Sequence, residues 1–535
     1  MIIVDPVTLG DVACTRASPK WVYDRTGTLL QVPANTLAVT YDPGDLTKAP
    51  YALVEGVATN TLKYSERFAT VWSTDPNAGV ATENFALAPD GQMSANLIAA
   101  QLNGVSTVCG YRYQSQVLTA GDWTLSVFVG KLAASPYVLL QLATGFRVCI
   151  NLDTREYFAV ALPAGTITCE FLEEAAGLVR IAISGTLPAG NAVTMIGLGS
   201  STGQLILAPA YAVGEGHLFW GAQLEQGRKA TSYIPTTAAA ATRAADIIAP
   251  GAGLVYSNVP ITEAPYSAGT AYAKDALVYD PATYLTYQSV IAGNVGHALT
   301  ETASWLPLGT VVNRKKMLDQ YNNTQTTNPD EILMVLSPQA ISQGLYLGNL
   351  SVDEARISVV DQVEGLVYGE TTTLIESNSG SSFFNWCFKR IKRRDYFLTL
   401  KMPVYANALV TISLRKIGGV AKCGMCAIGP IDEFGPTLMG LSTEGKDYSS
   451  TTFNFDGTSS TVIRPYAKRM TCDVMVDNDQ IDYLEARLFE VRQKPIVWVG
   501  GPYGSTAVYG RYESFKNVIQ YATRSLMNLT IGGAV

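Results

Sequence analysis

The chain has 535 residues, of which 47% are apolar and only 16% charged, and its formal net charge is −7. A chain of this length is too long for one hydrophobic core and predicts three or four domains. The acidic balance argues against a nucleic-acid partner, which would need a basic face to displace counterions. Soluble proteins average about 25% charged residues, so this composition favours a protein that hides surface in an obligate assembly.

Two features bear on location. No apolar run approaches the roughly 20 residues needed to cross a bilayer, so we expect no membrane span. The first six residues lack the charged region and the long apolar region of a secretory signal. We therefore expect a protein that is made in a cytoplasm and stays soluble until it assembles.

The first half of the chain has the pattern of short strands joined by turns. Residues 123–129, 147–152 and 178–183 alternate apolar and polar side chains, and the first of these runs places Leu125 and Val127 on one face. Strands at this spacing, with glycine-bearing turns, predict an antiparallel sandwich. Because no long amphipathic helix interrupts them, a parallel α/β fold is not expected.

Composition changes mark the middle of the chain. A run of threonine and alanine over residues 236–245 marks a domain edge, and we interpret it as an ordered strap or a short helix. Residues 249–253 have the composition of a linker. A compact tyrosine-rich segment follows over residues 256–309, and strands resume after Asn313.

The clearest helix is predicted late, over residues 479–492. Four apolar residues there have helical spacing: Ile481, Leu484, Leu488 and Val491. Asn478 or Asp479 is a candidate cap, and Pro495 ends the pattern. Residues 496–499 are typical of a strand, so we expect a terminal α+β domain with one helix on β-structure.

Four short motifs near the start carry a first resemblance. They are CTRAS at residues 14–18, YDRTG at 23–27, EGVATN at 55–60 and YSE at 64–66. Together they resemble the opening shared by many phage spike and fibre proteins, with Gly56 in place of the usual proline.

A second resemblance lies at the end of the predicted sandwich, in FWGAQLEQG at residues 219–227, TSYIPTT at 231–237 and TRAAD at 242–246. It is similar to the last strand and exit strap of jelly-roll, carbohydrate-binding-like domains of phage head-spike and tail proteins. We expect strict alternation here, with Phe219, Gly221 and Gln223 on one face and Trp220, Ala222 and Leu224 on the other. Pro235 then takes the chain out of the sheet.

The tyrosine-rich segment resembles a small chitin-binding-type module, with Tyr266 in place of the leading tryptophan and Lys274 in place of a glycine. The resemblance implies that exposed aromatic rings stack on pyranose rings. The candidate carbohydrate-binding residues are Tyr266, Tyr272, Tyr279, Tyr284, Tyr287 and Trp305. The alternative is that Tyr272, Tyr279 and Trp305 form the core of a domain too small for an aliphatic one.

From Asn313 onward, short motifs in order resemble a phage tail-associated domain. They lie at residues 313–326, 422–424, 464–470, 495–500 and 525–533. The resemblance implies a baseplate or tail-tip part that faces the particle.

Residues for catalysis are poorly supplied. A nucleophilic triad needs a base, but the only histidines are His217 and His297. The acidic pairs at residues 173–174 and 432–433 point to opposite faces if they lie on strands, which does not suit a glycosidase. We therefore expect no enzyme activity, no cofactor and no metal site.

Three local patterns leave alternatives open. Cys423 and Cys426 form a CxxC pair, interpreted as buried thiols rather than a zinc or redox site. The acidic cluster at residues 477–479 is interpreted as a helix cap rather than a calcium site. The basic run at residues 389–394 is either a solvated edge or ion-paired subunit contact, or a contact with phosphate or lipopolysaccharide.

The patterns and resemblances together predict a mainly β, multidomain chain. Its expected parts are a strand-rich strap (1–70), a jelly-roll sandwich (71–248), a small chitin-binding-type module (249–312) and a β-rich α+β domain with one late helix (313–535). We expect a structural component of a phage virion, at the tail tip or baseplate, that forms a homo-oligomer, contacts other virion proteins and touches host-surface glycan. The alternatives are a capsid head spike or fibre and a polysaccharide depolymerase.

Overall fold

The computed structural model describes residues 1–69, 72, 79–103, 107–160, 167–201, 211–375, 383, 388, 393–464 and 466–534. Strands make up 52% of the structure and helices 5%, which confirms the predicted mainly β, multidomain class. Residues 14–249 form one unit, and residues 1–13 together with 250–535 form the other. The boundary lies between Ala249 and Pro250, within the glycine- and proline-containing stretch. Within the described ranges, no helix is both long and apolar enough to span a membrane.

Two antiparallel sheets form a sandwich in the unit of residues 14–249. The six strands of one sheet, in spatial order, are Ile167–Ala175, Leu178–Leu187, Gly121–Gly130, Gly216–Gln226, Ala95–Ala99 and Val80–Ala86. The five strands of the other are Tyr111–Leu118, Gly190–Leu198, Tyr137–Ala143, Phe146–Asn151 and Tyr157–Val160. Leu125 and Val127 of the first sheet share one core with Leu140, Ile150 and Ile196 of the second, so the facing sides are apolar.

Short strand pairs complete this unit. They are Lys20–Tyr23 with Leu29–Val32, Val39–Thr40 with Tyr51–Ala52, Ala58–Asn60 with Ala241–Arg243, Cys14–Thr15 with Ile247–Ile248, and Gln101–Asn103 with Thr107–Cys109. The third and fourth pairs join the beginning of the unit to its end. The run over residues 236–245 contains no helix, so it is a strap that leads into a strand.

The second unit contains two large sheets. In spatial order the seven strands of one are Ile431–Glu433, Ile2–Val4, Ile496–Val499, Ala507–Val518, Arg524–Gly533, Tyr466–Asp477 and Ser442–Asp447. The six strands of the other are Gly10–Asp11, Gly253–Ser257, Thr326–Ser337, Leu409–Cys423, Glu354–Asp361 and Gly365–Thr373. Residues Ile2–Val4 therefore lie inside a sheet made otherwise of residues beyond 430.

Smaller elements of this unit follow. One sheet has the strands Tyr396–Thr399, Gly344–Gly348 and Met425–Gly429, and another has Ala264–Pro265, Leu277–Tyr279, Leu285–Ser289 and Trp305–Val311. A hairpin pairs Ser450–Phe453 with Ser459–Val462. Short 3-10 helices lie at Asn313–Leu318, Asn478–Gln480 and Gly504–Thr506.

The predicted late helix is confirmed as α1, Ile481–Glu490. Leu484 and Leu488 are buried in a core that includes Trp498 of the seven-stranded sheet, as the helical spacing required. The predicted cap is wrong. The N-cap residue is Gln480, which makes no side-chain capping hydrogen bond, because the chain enters α1 through a 3-10 turn.

The last sandwich strand, Gly216–Gln226, departs from the expected alternation. Ser126 pairs with Gln223 and Phe128 with Trp220, so two residues oppose Val127 and form a β-bulge. Gly221 supplies the left-handed backbone of this bulge, with φ 65°. Phe219 consequently faces the sandwich core together with Ala222 and Leu224, whereas Trp220 packs in a separate cluster. The prediction of two unbroken faces is therefore wrong.

Candidate functional site

Five buried charged residues connect the two ends of the sandwich unit, and we call this group the clasp: Arg16, Lys20, Glu55, Arg243 and Asp246. Asp246 lies 2.7 Å from both Arg16 Nη1 and Lys20 Nζ, and all three side chains are fully buried. Glu55 accepts from Lys20 at 2.8 Å and lies 3.2 Å from Arg243. Burial alone would raise the pKa of Glu55, but the two cations hold that pKa below its ordinary value.

Asn60 extends the clasp to the last sandwich strand. Its amide nitrogen donates to the carbonyl oxygens of Ala222 at 3.1 Å and Ile234 at 2.9 Å. Its amide oxygen accepts from the backbone nitrogens of Leu62 and Leu224, both at 3.1 Å. All four hydrogen-bonding positions of this fully buried side chain are therefore occupied.

The exit strap is held by side chains from the same motifs. Glu55 accepts from the backbone nitrogen and the hydroxyl of Ser232, at 2.8 and 2.7 Å. Gln223 accepts from the backbone nitrogen of Ile234 at 2.7 Å. The Tyr233 hydroxyl lies 2.7 Å from Ser65 Oγ and donates to Glu66 at 2.8 Å. The motifs quoted for the first two resemblances thus meet in one buried polar network.

The aromatic candidates of the small module fall into two groups. Tyr266, Tyr272 and Trp305 pack together, with ring centroids 5.4–6.3 Å apart. Tyr266 Oη and Trp305 Nε1 both donate to the carbonyl oxygen of His297, at 2.7 and 3.0 Å. Because Tyr272 and Trp305 are only 9% and 1% exposed, they belong to the core of the module, the alternative left open by the sequence. Tyr287 packs against the same cluster.

Tyr279 and Tyr284 form the second group. Their rings are stacked, with centroids 5.8 Å apart and planes at 8°. Two cations also approach the Tyr284 ring, with Arg314 Cζ at 5.4 Å and Lys315 Nζ at 5.0 Å from its centroid. The pKa of the Tyr284 hydroxyl is raised mainly by burial and secondly by a hydrogen bond to Asp11, so the hydroxyl stays protonated at neutral pH.

Tyr284 lies at the wall of a cavity of about 480 Å³. Leu9, Val311 and Leu318 supply apolar wall, and the polar lining residues are Asp11, Thr283, Tyr284, Lys315 and Asp319. Lys315 is held by Asp11 at 2.6 Å and by the carbonyl oxygen of Gly10 at 2.9 Å. Burial raises the pKa of Asp319, which also accepts from the Thr324 hydroxyl at 2.7 Å. Apolar wall with a few convergent polar groups is typical of a small-ligand site.

The turn before Tyr284 places this residue at the cavity wall in a strained backbone conformation. Asp280 accepts from the backbone nitrogen of Ala282 at 3.0 Å and from the hydroxyl of Thr283 at 2.8 Å. The backbone nitrogen of Tyr284 donates to the carbonyl oxygen of Asp280 at 2.8 Å, and Tyr284 adopts φ 60°. A bulky residue with left-handed backbone is uncommon, and such strain concentrates at functional positions.

The two histidines have different surroundings. His217 is fully buried, and its Nδ1 accepts from the backbone nitrogen of Leu132 at 3.2 Å. Its Nε2 lies 3.0 Å from the hydroxyl of Tyr211, so the neutral ring with the proton on Nε2 fits both contacts. Burial lowers the pKa of His217 to about 4. His297 lies at the surface 2.8 Å from Glu301.

The CxxC pair is interior. Cys423 and Cys426 are buried in the core under the six-stranded sheet, and both are free thiols. Burial raises the pKa of Cys426 to about 12 and that of Cys423 well above its ordinary value. Over the described part of the chain, no group of three or more ligand-type residues is arranged to hold a metal ion.

Most of the remaining charged candidates are ion-paired. Glu173 pairs with Arg180 at 3.0 Å, Glu174 with Arg155 at 2.7 Å, and Asp432 with Arg487 at 2.8 Å. In the acidic cluster, Asp477 pairs with Arg524 at 3.2 Å, and the side-chain amide of Asn478 donates to the carbonyl oxygen of Tyr521 at 2.9 Å. Residues 389–392 of the basic run lie outside the described residues. Arg393 pairs with Asp353 at 2.5 Å, and Arg394 donates to the carbonyl oxygen of Thr373 at 2.9 Å.

Comparison with known proteins gives little. No family model and no curated protein matches the chain. Among solved structures, the GH78 family rhamnosidase of Bacillus sp. GL1 aligns with 78% of this chain and 37% of its own, at 10% identity and a TM-score of 0.15. The chain thus spans just over a third of that protein, and a similarity at this TM-score carries no argument about fold or activity.

Proposed function

We propose that the chain is a structural component of a tailed-bacteriophage particle, at the tail tip or baseplate. Residues 313–535 dock on other virion proteins, and the sandwich and the small module contact host-surface glycan. The chain acts in several copies, so individually weak glycan contacts gain because later contacts become intramolecular.

The observation that carries the virion part of the proposal is the clasp. The residues that resemble phage spike and tail proteins are far apart in sequence, yet Arg16 and Lys20 pair with Asp246, and Arg243 pairs with Glu55. A resemblance confined to one linear motif arises easily by chance. The motif residues of this chain instead complete one buried network, and that spatial agreement is what supports the proposal.

The glycan part rests on the cavity beside Tyr284. Its apolar wall suits the C–H faces of a sugar, and the side chains of Asp11, Thr283 and Asp319 suit its hydroxyl groups. Tyr284 holds a left-handed backbone at this wall, where glycine would avoid the strain.

Electron cryo-microscopy of intact particles tests the location. Density for the chain at the distal tail, with residues 313–535 against tail proteins, supports the proposal. Density on the capsid would place the chain with head spikes or fibres instead. Absence from the particle would remove the structural proposal and leave a polysaccharide-degrading enzyme to be tested.

A glycan array with the purified chain tests the second part. Thr283→Ala and Tyr284→Phe each remove one hydroxyl near the cavity and are expected to lower glycan binding about fivefold, the effect of one hydrogen bond. Tyr321→Phe is the matched control, because the Tyr321 side chain is 60% exposed and is not among the cavity residues. Binding that all three variants retain would refute the assignment of this cavity.

A further inference from the structure

A second polar cavity, of about 170 Å³, lies in the unit of residues 1–13 and 250–535. It lies where the three-stranded sheet meets the seven-stranded sheet, with Tyr346 from the former and Tyr466, Lys468 and Tyr509 from the latter. The apolar cluster that joins these sheets includes Val4, Met425 and Val499, and it also contains the cavity residues Tyr346 and Tyr509. Among the described residues, no residue of the small module lines this cavity, and neither Arg393 nor Arg394 of the basic run does.

Three tyrosine hydroxyls line this cavity. Tyr346 and Tyr509 are only 9% and 7% exposed, whereas Tyr466 is 58% exposed. None of the three hydroxyls makes a hydrogen bond to another residue in the described part of the chain. Burial and the nearby Asp395 raise the pKa of Tyr346, and burial raises that of Tyr509 to about 12, so both remain donors at neutral pH.

One lining residue, Asn322, also carries an unpaired acceptor. Asn322 lines the cavity, and its side-chain oxygen is buried without a hydrogen-bond partner among the described residues. The neighbouring Asn349 is already engaged, since it donates to the carbonyl oxygen of Asn322 at 2.6 Å and accepts from Gln325 at 3.1 Å. A buried acceptor left unpaired is unfavourable. This oxygen lies below the cavity surface, so it is not counted among the groups that contact a ligand.

The charges of the cavity balance. Asp395 is an exposed carboxylate, and the Lys468 ammonium lies 5.9 Å from the centroid of the Tyr396 ring. Because one cation is offset by one anion, an anionic ligand gains no net attraction. An apolar ligand would leave the tyrosine hydroxyls unpaired. The volume is below the roughly 300–1,000 Å³ of pockets for drug-sized ligands, so it suits one small ring.

We propose that the cavity between Tyr346, Tyr466 and Tyr509 binds a single neutral pyranose unit. The tyrosine hydroxyls and Lys468 donate to its oxygens, and Asp395 accepts from its hydroxyl groups. This site is separate from the cavity at Tyr284, and it stands whether or not that cavity binds glycan.

Saturation-transfer difference NMR on the full chain tests the site, with the methyl glycosides of glucose, galactose, rhamnose, N-acetylglucosamine and glucuronic acid as probes. At least one neutral glycoside is expected to give a signal. Tyr346→Phe and Tyr509→Phe each remove one hydroxyl without a protein partner, so the fold is retained and binding falls about fivefold per hydroxyl. Thermal unfolding midpoints equal to that of the unmodified chain verify the fold.

Lys468→Met removes the ammonium donor of the cavity and is expected to weaken the signal, and this variant has a matched control. Lys446→Met removes a similar ammonium, 5.2 Å from the centroid of the Tyr448 ring and outside the cavity, and is expected to leave the signal unchanged. Absence of signal from all neutral glycosides, or binding of the glucuronide alone, would overturn the proposal. A signal lost in Tyr284→Phe but kept in Tyr346→Phe would overturn it too, and would assign the sugar to the other cavity.

Discussion

At the scale of single residues, the stability of residues 14–249 depends most on Asp246, whose fully buried carboxylate faces two fully buried cations. Asp246→Asn removes the carboxylate that faces Arg16 and one of the two that face Lys20, which keeps Glu55. Breaking a buried pair in this way costs about 3–5 kcal/mol. We expect the free energy of unfolding of residues 14–249, measured with denaturant, to fall by that amount.

Asp153→Asn is the control for this substitution. Asp153 pairs with Lys131 at 2.6 Å, but the two side chains are 52% and 35% exposed. An exposed pair of this kind contributes less than about 1 kcal/mol. Equal losses in the two variants would contradict the view that burial makes the clasp important for stability.

The lowered pKa of the buried His217 predicts that the free energy of unfolding depends on pH. Its pKa of about 4 in the folded chain lies below the 6.5 expected after unfolding, because the buried ring is held neutral. Between these values the unfolded chain binds more protons, so the free energy of unfolding falls as the pH drops from 6.5 to 4. The contribution is at most about 3.5 kcal/mol, since one pKa unit corresponds to about 1.4 kcal/mol.

Denaturant unfolding at pH 7, 6, 5 and 4 measures this dependence. His217→Gln is expected to flatten the slope between pH 6.5 and 4, whatever its effect on stability at pH 7. His297→Gln, which changes a surface residue, is expected to leave the slope as it is. An unchanged slope in His217→Gln would contradict the neutral buried ring.

At the scale of elements, the bulge in Gly216–Gln226 predicts that one methyl group added at Gly221 lowers the stability of the fold. Gly221 has φ 65°, and an added Cβ would lie 3.2 Å from ring atoms of Phe128 and of Tyr233. Gly221→Ala therefore costs about 1–2 kcal/mol for the backbone, and the crowded rings add to this. Gly145→Ala separates the two contributions, because Gly145 has φ 86° and open space around it. If Gly221→Ala lowers the free energy of unfolding no more than Gly145→Ala does, the rings of Phe128 and Tyr233 move aside without an energetic penalty.

The same strand shows what periodicity can and cannot predict. Alternation located the strands over residues 121–130, 146–151 and 178–187, because successive side chains of a strand point to opposite faces of the sheet and only one of those faces meets the apolar core. It failed at Gly221, since one inserted residue exchanges the faces on one side of the bulge without changing composition. Helical spacing located α1, but its entry through a 3-10 turn left the predicted cap unused.

The candidate sites were less accessible to sequence reasoning. The pairing of Arg16 with Asp246 joins residues 230 positions apart, and no local pattern encodes it. Aromatic spacing in the small module could not separate Trp305, which is in the core, from Tyr284, which lines a cavity, because both positions need an aromatic ring. The cavity at Tyr346 was missed because its residues come from six separate segments without a shared motif.

At the scale of the whole molecule, the two units have separate cores. The sandwich core contains only residues of 14–249, and the cores around Met334 and Trp498 contain only residues of the other unit. Separate cores predict more than one cooperative transition in calorimetry. Asp246→Asn is expected to lower only the transition of residues 14–249, and hydrogen-exchange mass spectrometry assigns each transition to its peptides. A single transition that shifts as a whole would show instead that the chain unfolds as one cooperative unit.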